Sequence, residues 1–490
     1  MEEQLEYSIA LERLSLENFR CFQDLNVTFD EKLTVFIAEN GGGKTAILDV
    51  IAEGLKIFLA TLKADGYKTQ LLPFKDVKTG LSTARCQLLA DIDYLVNDDY
   101  PATDNDGNPL KLFDEDGVII TDENGVEQIQ IIESVTKENA LVSLTFETTF
   151  NNLNHYKGFY KYAASLKRYS YTNLPVLVYY GGDSVHIEYN EKEITSFEKL
   201  DRVYNDALSS NRFQFTPFYN WWRHNEDLML RIKNENSPRF KTFDSQFKKL
   251  KNAIEFMLND NPLEPTYTDL RINDELKMGL EKNTYKDGQL DSSLFIEVSQ
   301  FSAGEKSLFA FVADLGLRLL HATPLKKESQ DVKKVEEEEG EKIIKGKGIV
   351  LIDEVDLHLH PQWQKNIVDK LIKIFPDVQF VMTTHSPLML GGIESKVIRV
   401  LDKGKLFSVE DTYGREVDSI LEIIMNVEAG KYTKEIKKIA RLIAENDLVE
   451  AESSLQKMQK EIDDKGDDGA GHPDILRMNS LLIRKKVIGR

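Results

Sequence analysis

Three observations predict an α/β fold, a mixed sheet with flanking helices behind an N-terminal antiparallel β layer. Residues 9–37 alternate apolar and polar side chains, as strands with one covered face do. The glycine run Gly41-Gly42-Gly43 then separates the last of these strands from a segment whose apolar residues fall at helical spacing. Far downstream, Gly348–Ile352 is an unbroken apolar run directly before two acidic residues, the pattern of a parallel strand covered on both faces.

The elements follow in chain order. Breaks at Asn18-Phe19-Arg20 and Asp30-Glu31-Lys32 divide the first stretch into three short strands. After the glycines, Ile47, Leu48, Ile51, Leu55, Phe58 and Leu59 mark one face of a helix. Residues 97–127 are rich in Asp, Asn, Gly and Pro and read as a loop with a small hairpin. Segments 141–150 and 175–180 read as strands, and 196–258 as a helical insertion broken near Thr216-Pro217 and Ser237-Pro238. Short strands return over 267–298, with turns at Asn273-Asp274 and Lys286-Asp287-Gly288. The charged tract 326–347 reads as a solvated loop. A strand over 378–383, a hairpin near 397–409 and helices over 419–425 and 433–462, bent at Asn446-Asp447, come next. A Gly/Asp linker over 465–473 leads to a last basic helix with Arg477, Arg484, Lys485 and Lys486. The expected organisation is an N-terminal lobe (1–185), the insertion (186–265), a C-terminal lobe (266–410) and a helical C-terminal partner-binding tail (411–490).

Composition narrows the function. At 490 residues the chain is long enough for two or three cores. No run of 18 apolar residues occurs, so no membrane span is expected. The acidic N-terminus lacks an apolar signal core, and the two cysteines, Cys21 and Cys86, exclude a disulfide framework or a cysteine zinc site; a cytoplasmic protein is expected. A net charge of −20 argues against nonspecific coating of nucleic acid, which needs basic surface to neutralise phosphate.

Four motifs carry the chemistry. Ala38-Glu39-Asn40-Gly41-Gly42-Gly43-Lys44-Thr45 sits between strand and helix, where glycines let main-chain N–H groups wrap a phosphate. There Asn40 to Thr45 would hold ATP, with Lys44 on the β- and γ-phosphates and the Thr45 hydroxyl on Mg²⁺. Asp353, ending its strand, would hold the same Mg²⁺, and Glu354, pointing the other way along the strand, would orient the attacking water. Thr383-Thr384-His385-Ser386 follows the next strand, placing His385 to donate to the γ-phosphate; a buried structural histidine is the alternative. Phe301-Ser302-Ala303-Gly304-Glu305 completes the set. His358 and His360, two apart near Asp353, admit a zinc reading or a plain packing role.

Together these motifs resemble ATP-binding-cassette (ABC) ATPases of the RecF/SMC/Rad50 type over residues 9–62 and 295–410. The resemblance makes Phe301 to Glu305 the signature, whose Ser302 and Gly304 touch the γ-phosphate bound by a second copy, so that a homodimer or higher homo-oligomer hydrolyses ATP. It places Asp356 in the loop that communicates between subunits and leaves Gln87 as a candidate for the glutamine loop. About 260 residues separate phosphate loop and signature, too many for a transporter cassette, and no long heptad insertion is present. Phe218-Tyr219-Asn220-Trp221-Trp222-Arg223-His224-Asn225-Glu226, the segment from Asp353 through Gln364 and the basic last helix resemble the PtuA-like ATPases of Septu and retron anti-phage systems. That resemblance implies an HNH nuclease partner (PtuB-like), and in retrons a reverse transcriptase with its DNA–RNA product. A RecF-like repair ATPase that binds DNA directly is the alternative. The basic, aromatic segment 156–169 reads as a base-stacking surface or as an amphipathic wall of the lobe. No nuclease motif is visible in the chain itself.

Overall fold

The computed structural model describes residues 8–39, 41–63, 84–101, 131–147, 174–181, 185–186, 199–204, 206–209, 213–232, 238–323, 342–408, 431–463 and 473–488. Asn40, most of the turn-rich segment before 131, the basic aromatic segment 156–169, the charged tract up to 341, the helix expected over 419–425 and the Gly/Asp linker up to 472 lie outside them.

The N-terminal antiparallel sheet has the order Phe22–Thr28, Ser8–Phe19, Arg85–Pro101, Ile131–Glu147. Its first pair sets Leu14 opposite Val27, Leu16 opposite Leu25 and Phe19 opposite Phe22, all buried, so alternation fixes the register. The last two strands pair from Arg85 opposite Glu147 to Pro101 opposite Ile131. They therefore run through residues 97–101, expected as loop, and begin ten residues before the strand expected at 141. An antiparallel ribbon satisfies its main chain by pairing alone and needs no apolar alternation.

The larger sheet is mixed. Its order is Lys405–Ser408, Ile398–Asp402, Leu33–Ala38, Val378–Thr384, Gly348–Ile352, Val176–Tyr180, parallel throughout except for the edge hairpin. The strands Leu33–Ala38, Val378–Thr384, Gly348–Ile352 and Val176–Tyr180 are buried along their whole length, as parallel strands covered on both faces must be. A Cβ on Gly348 would fall 2.1 Å from the Val176 carbonyl, so the edge pairing needs glycine there. The two sheets are stitched by Gln379, which is 3% exposed. Its side chain accepts from Leu11 N at 2.7 Å and donates to Leu11 O at 3.0 Å and Asp30 O at 2.9 Å, at the register shift between Leu11 and Arg13.

The insertion contains Lys199–Tyr204, Phe215–Ile232 and Pro238–Leu258. Pro217 lies in the first turn of its helix, where a missing N–H costs nothing, so the break falls just before it. The aromatic run is helix-packing core: Phe218 and Trp222 are buried, and Trp222 meets Phe247 with ring centroids 4.1 Å apart. A three-stranded sheet, Gln289–Glu297, Met278–Lys286, Tyr267–Ile272, follows. Its first hairpin turns on Asp287 and Gly288, both at positive φ, the two-residue turn that matches strand twist.

Residues 411–490, with 390–392, form a second compact unit. Lys431–Ala444, Leu448–Asp463 and Pro473–Ile488 bury Ile439, Ile443, Leu455, Met458, Ile475, Met478 and Leu482 among themselves. The first helix ends at Ala444, Asn446 at a φ of +67° turns the chain out of it, and the Asp447 carboxylate accepts from Glu450 N at 3.2 Å to start the second.

Candidate functional site

The carboxyl ends of Leu33–Ala38, Gly348–Ile352 and Val378–Thr384 lie side by side in the mixed sheet, the place where open parallel sheets bind ligands. The glycine loop leaves the first of them. Gly41 and Gly43 have φ of +76° and +95°. A Cβ on Gly43 would lie 2.4 Å from the Phe22 ring and 2.6 Å from Cys21 Sγ, and one on Gly42 would lie 2.6 Å from the Ala38 methyl. Ala38 is thus accommodated because the residue facing it has no side chain. The loop delivers Lys44 and Thr45 into the first turn of Lys44–Lys63, whose unpaired N–H groups suit an anion.

Lys44 is 6% exposed, and its Nζ donates to Ala38 O at 2.9 Å and Glu39 O at 3.3 Å. Burial pushes its pKa below the ordinary lysine value, against the opposing pull of the Asp353, Glu354 and Asp356 carboxylates. Thr45 donates to Asp353 Oδ2 at 2.8 Å. The other Asp353 oxygen accepts from Thr383 Oγ1 at 2.5 Å, and Asp353 N donates to Tyr180 O at 2.8 Å. The structure thereby brings Lys44, Thr45 and Asp353 together as the motifs required.

Glu354 departs from its expected geometry. The strand stops at Ile352 and Glu354 takes a φ of +52°, so it is presented by a left-handed turn and not by strand alternation. Its N–H donates to Thr383 Oγ1 at 2.8 Å. Asp356 accepts from Thr384 Oγ1 at 2.6 Å and from His385 N at 3.2 Å, tying the segment after Glu354 to the main chain of His385. Gln364 braces the same turn: Ser386 Oγ donates to its Oε1 at 2.8 Å, and its Nε2 donates to Leu359 O at 2.9 Å. His360 caps the helix Pro361–Ile374 by accepting from Gln362 N, and His358 turns the chain at a φ of +62°. Gln87 sits inside a strand, opposite Ser15.

The signature lies at the start of the helix Ala303–Ala322. Ser302 and Ala303 are exposed and Gly304 is buried. A Cβ on Gly304 would lie 2.5 Å from the His358 carbonyl, so this helix start packs on the turn that follows Glu354. Ser302 Oγ accepts from Glu305 N, and the Glu305 carboxylate accepts from Ser302 N at 2.7 Å, a reciprocal cap. For Glu305, burial works to raise the pKa, but hydrogen bonds from Tyr267 and Ser302 outweigh it and hold the carboxyl below its usual value. Phe301 packs with Tyr267 and Phe309 at centroid distances of 5.5 and 6.2 Å.

Thr383, Gln364 and Ser386 had no assigned role in the sequence reading. The only sequence signal for Thr383 is a hydroxyl residue at the end of the strand neighbouring the Asp353 strand.

Known proteins share similarity with this chain. The family model described as an AAA ATPase domain matches residues 10–390. The retron Vc95 probable ATPase of Vibrio cholerae serotype O1 biovar El Tor is 24% identical, covering 86% of this chain and 80% of that protein. The retron Ec83 probable ATPase of Escherichia coli is also 24% identical, over 88% of this chain and 79% of its own length. The Septu protein PtuA of Bacillus mycoides (strain KBAB4) is 54% identical over a short stretch, 11% of this chain and 8% of that one.

Proposed function

The chain belongs to the AAA ATPase domain family, and from that premise we propose that it is the ATP-hydrolysing regulatory subunit of an anti-phage defence complex, closing two ATP molecules between two copies of itself and controlling an HNH nuclease partner. That it is an ATPase related to the retron and Septu ATPases follows from the family match and the relatives. The observation that carries the site assignment is the 2.8 Å bond from Thr45 to Asp353 beside buried Lys44, which joins a helix start to a strand end 308 residues further along the chain.

The hydroxyl and carboxylate suit Mg²⁺, a hard ion with oxygen ligands. Neighbouring ligands of an octahedral ion with bonds of 2.0–2.1 Å lie about 2.9 Å apart, close to the spacing of Thr45 Oγ1 and Asp353 Oδ2. Bound there, Mg²⁺ would neutralise charge on the β- and γ-phosphates. In this reading the main-chain N–H groups of Gly41 to Thr45, together with Asn40, cradle the phosphates, and the Lys44 ammonium turns from the loop carbonyls to the β- and γ-oxygens. Glu354 orients the attacking water and accepts its proton, and His385 donates to the γ-phosphate. Ser302 offers its hydroxyl to the γ-phosphate held by a second copy, and Asp356 carries the state of that contact to His385.

We place partner contact on the helix Pro473–Ile488, where Leu476, Leu481 and Ile483 are exposed beside Arg477 and Arg484. In a retron setting the partners would include a reverse transcriptase and its DNA–RNA product. The test is mild affinity purification of the Glu354→Gln protein, expressed with its native operon in the presence of ATP, followed by mass spectrometry and nuclease-treated gels. A stoichiometric HNH protein is the expected result. Recovery of the ATPase alone or with heterogeneous DNA only would overturn the nuclease-control reading.

A further inference from the structure

We propose that Thr383 is a positioning residue for ATP hydrolysis, one hydroxyl that fixes both the carboxylate of Asp353 and the main chain of Glu354. The inference rests on the site reading above and assigns a role that the four motifs leave open.

Thr383 is fully buried. The parallel register pairs Ile352 with Met382, so the next residues, Asp353 and Thr383, stand level where the two strands end. A threonine hydroxyl has one proton to donate and lone pairs to accept with, and here both capacities are used. It donates to Asp353 Oδ1 at 2.5 Å and accepts from Glu354 N at 2.8 Å. The Thr383 carbonyl accepts in turn from Val355 N at 3.1 Å. The residue between those two anchored N–H groups is Glu354, whose φ of +52° is uncommon for a side-chain-bearing residue and persists where neighbours over-determine it. Thr45 takes the other Asp353 oxygen, so the carboxylate is fixed from both sides and cannot rotate without breaking a bond. Strand alternation sends the adjacent Thr384 the other way, to Asp356. The two threonines thereby divide the work: Thr383 serves the hydrolytic carboxylates and Thr384 the turn behind them.

Thr383→Val keeps the shape and removes the hydroxyl; Thr383→Ser keeps the hydroxyl. Steady-state ATPase assays on the full chain, with Mg²⁺ titrated at fixed ATP, separate the outcomes. The valine variant is expected to lose at least about tenfold in kcat and to need several-fold more Mg²⁺ for half-maximal rate, with KM for ATP changed by less than about twofold. The serine variant is expected to recover kcat to within about threefold. In the Glu354→Gln background, Thr383→Val should cost less activity than it does in the wild type, since one of its two effects acts through Glu354. Wild-type kcat in the valine variant overturns the proposal. So does an equal loss in valine and serine, which marks a packing role only. If valine lowers the melting temperature sharply, Thr383→Cys carries the test with its weak donor: an intermediate kcat is expected, and a wild-type kcat overturns the proposal. Glu354→Gln measured alongside distinguishes the two levels. Full turnover in that variant refutes the site reading itself, whereas a dead Glu354→Gln with an unaffected Thr383→Val refutes only this inference.

Discussion

The strand ends around Asp353 and the helix Ala303–Ala322 both belong to the ATPase body, and they are held by different forces. Around Asp353 the polar side chains are buried and bonded to one another: Lys44 to two carbonyls, Asp353 to two hydroxyls, Thr383 to two partners. The helix sets its own Phe309 into an aromatic bed of Phe301, Phe215 and Phe218, with Trp222 packed behind Phe218. Trp222 Nε1 in this bed, and His321 Nδ1 and Thr323 Oγ1 at the end of the helix, are buried with no hydrogen-bond partner among the described residues. Hydrogen bonds fix positions to tenths of an ångström, as hydrolysis demands. The aromatic packing leaves the tip of the helix exposed, as the proposed contact with a second copy requires. A change at the first region should therefore alter chemistry at little cost in stability, and a change at the second should do the reverse.

The largest effect is expected at Lys44. Lys44→Ala removes the buried ammonium, and equilibrium binding of a fluorescent ATP analogue should weaken by about 100-fold or more. Retained affinity would overturn the phosphate-loop assignment. Because burial lowers the Lys44 pKa, wild-type affinity should also decline on the alkaline side at lower pH than an exposed lysine would dictate. Next comes Glu354→Gln, which keeps the shape and removes the base. ATP turnover should fall by about 100- to 1,000-fold while ATP stays bound, and size-exclusion chromatography with ATP should show a dimer accumulating. Unchanged turnover would strip Glu354 of its role.

The exposed tip gives a sharper contrast. Ser302→Arg should abolish hydrolysis while nucleotide binding stays within about threefold, since the residue is an exposed cap of its own helix. Mixed with Lys44→Ala protein, it should regain activity. One of the two composite sites in the mixed dimer then pairs an intact phosphate loop with an intact signature. Two inactive proteins that stay inactive when mixed would refute the two-copy site.

These regions also differ in how far the sequence exposes them. The glycine loop and the Asp353 strand are legible because each is a local pattern, spacing along a few residues joined to a known demand of the backbone. Thr383 and Gln379 are not, since their partners lie 29 to 368 residues away and no local pattern announces the pairing. Glu354 is legible as a residue but not as a geometry: alternation predicts its direction only if the strand continues, and the strand ends two residues earlier. The ribbon through 97–101 escapes pattern reading for the opposite reason, because main-chain pairing extends it without an apolar signal.

The smallest effect tests the aromatic bed. His321 lies in the last turn of the helix Ala303–Ala322, its ring edge-on to Trp221 with centroids 6.4 Å apart. Burial, with Arg202 and Arg318 nearby, lowers its pKa from 6.5 to about 4. In the unfolded chain the imidazole takes up its proton near pH 6.5, but in the folded chain it stays neutral until about pH 4. Between those values the unfolded state binds more protons, so the stabilisation present above pH 6.5 is lost as pH falls towards 4. The shift sets a ceiling of about 3 kcal/mol on that loss. His321→Gln cannot titrate and removes this component while leaving the carboxylate contributions common to both proteins. Urea unfolding followed by tryptophan fluorescence, which Trp221 and Trp222 report from within the bed, should show wild type losing more stability than the variant between pH 7.5 and 4.5. ATP turnover at pH 7.5 should stay within about twofold, because the neutral ring contributes packing and no charge there. Parallel stability curves would mean that the helix end opens readily enough for the imidazole to reach water. The bed would then be looser than its burial implies, and the contrast with the Asp353 cluster would widen.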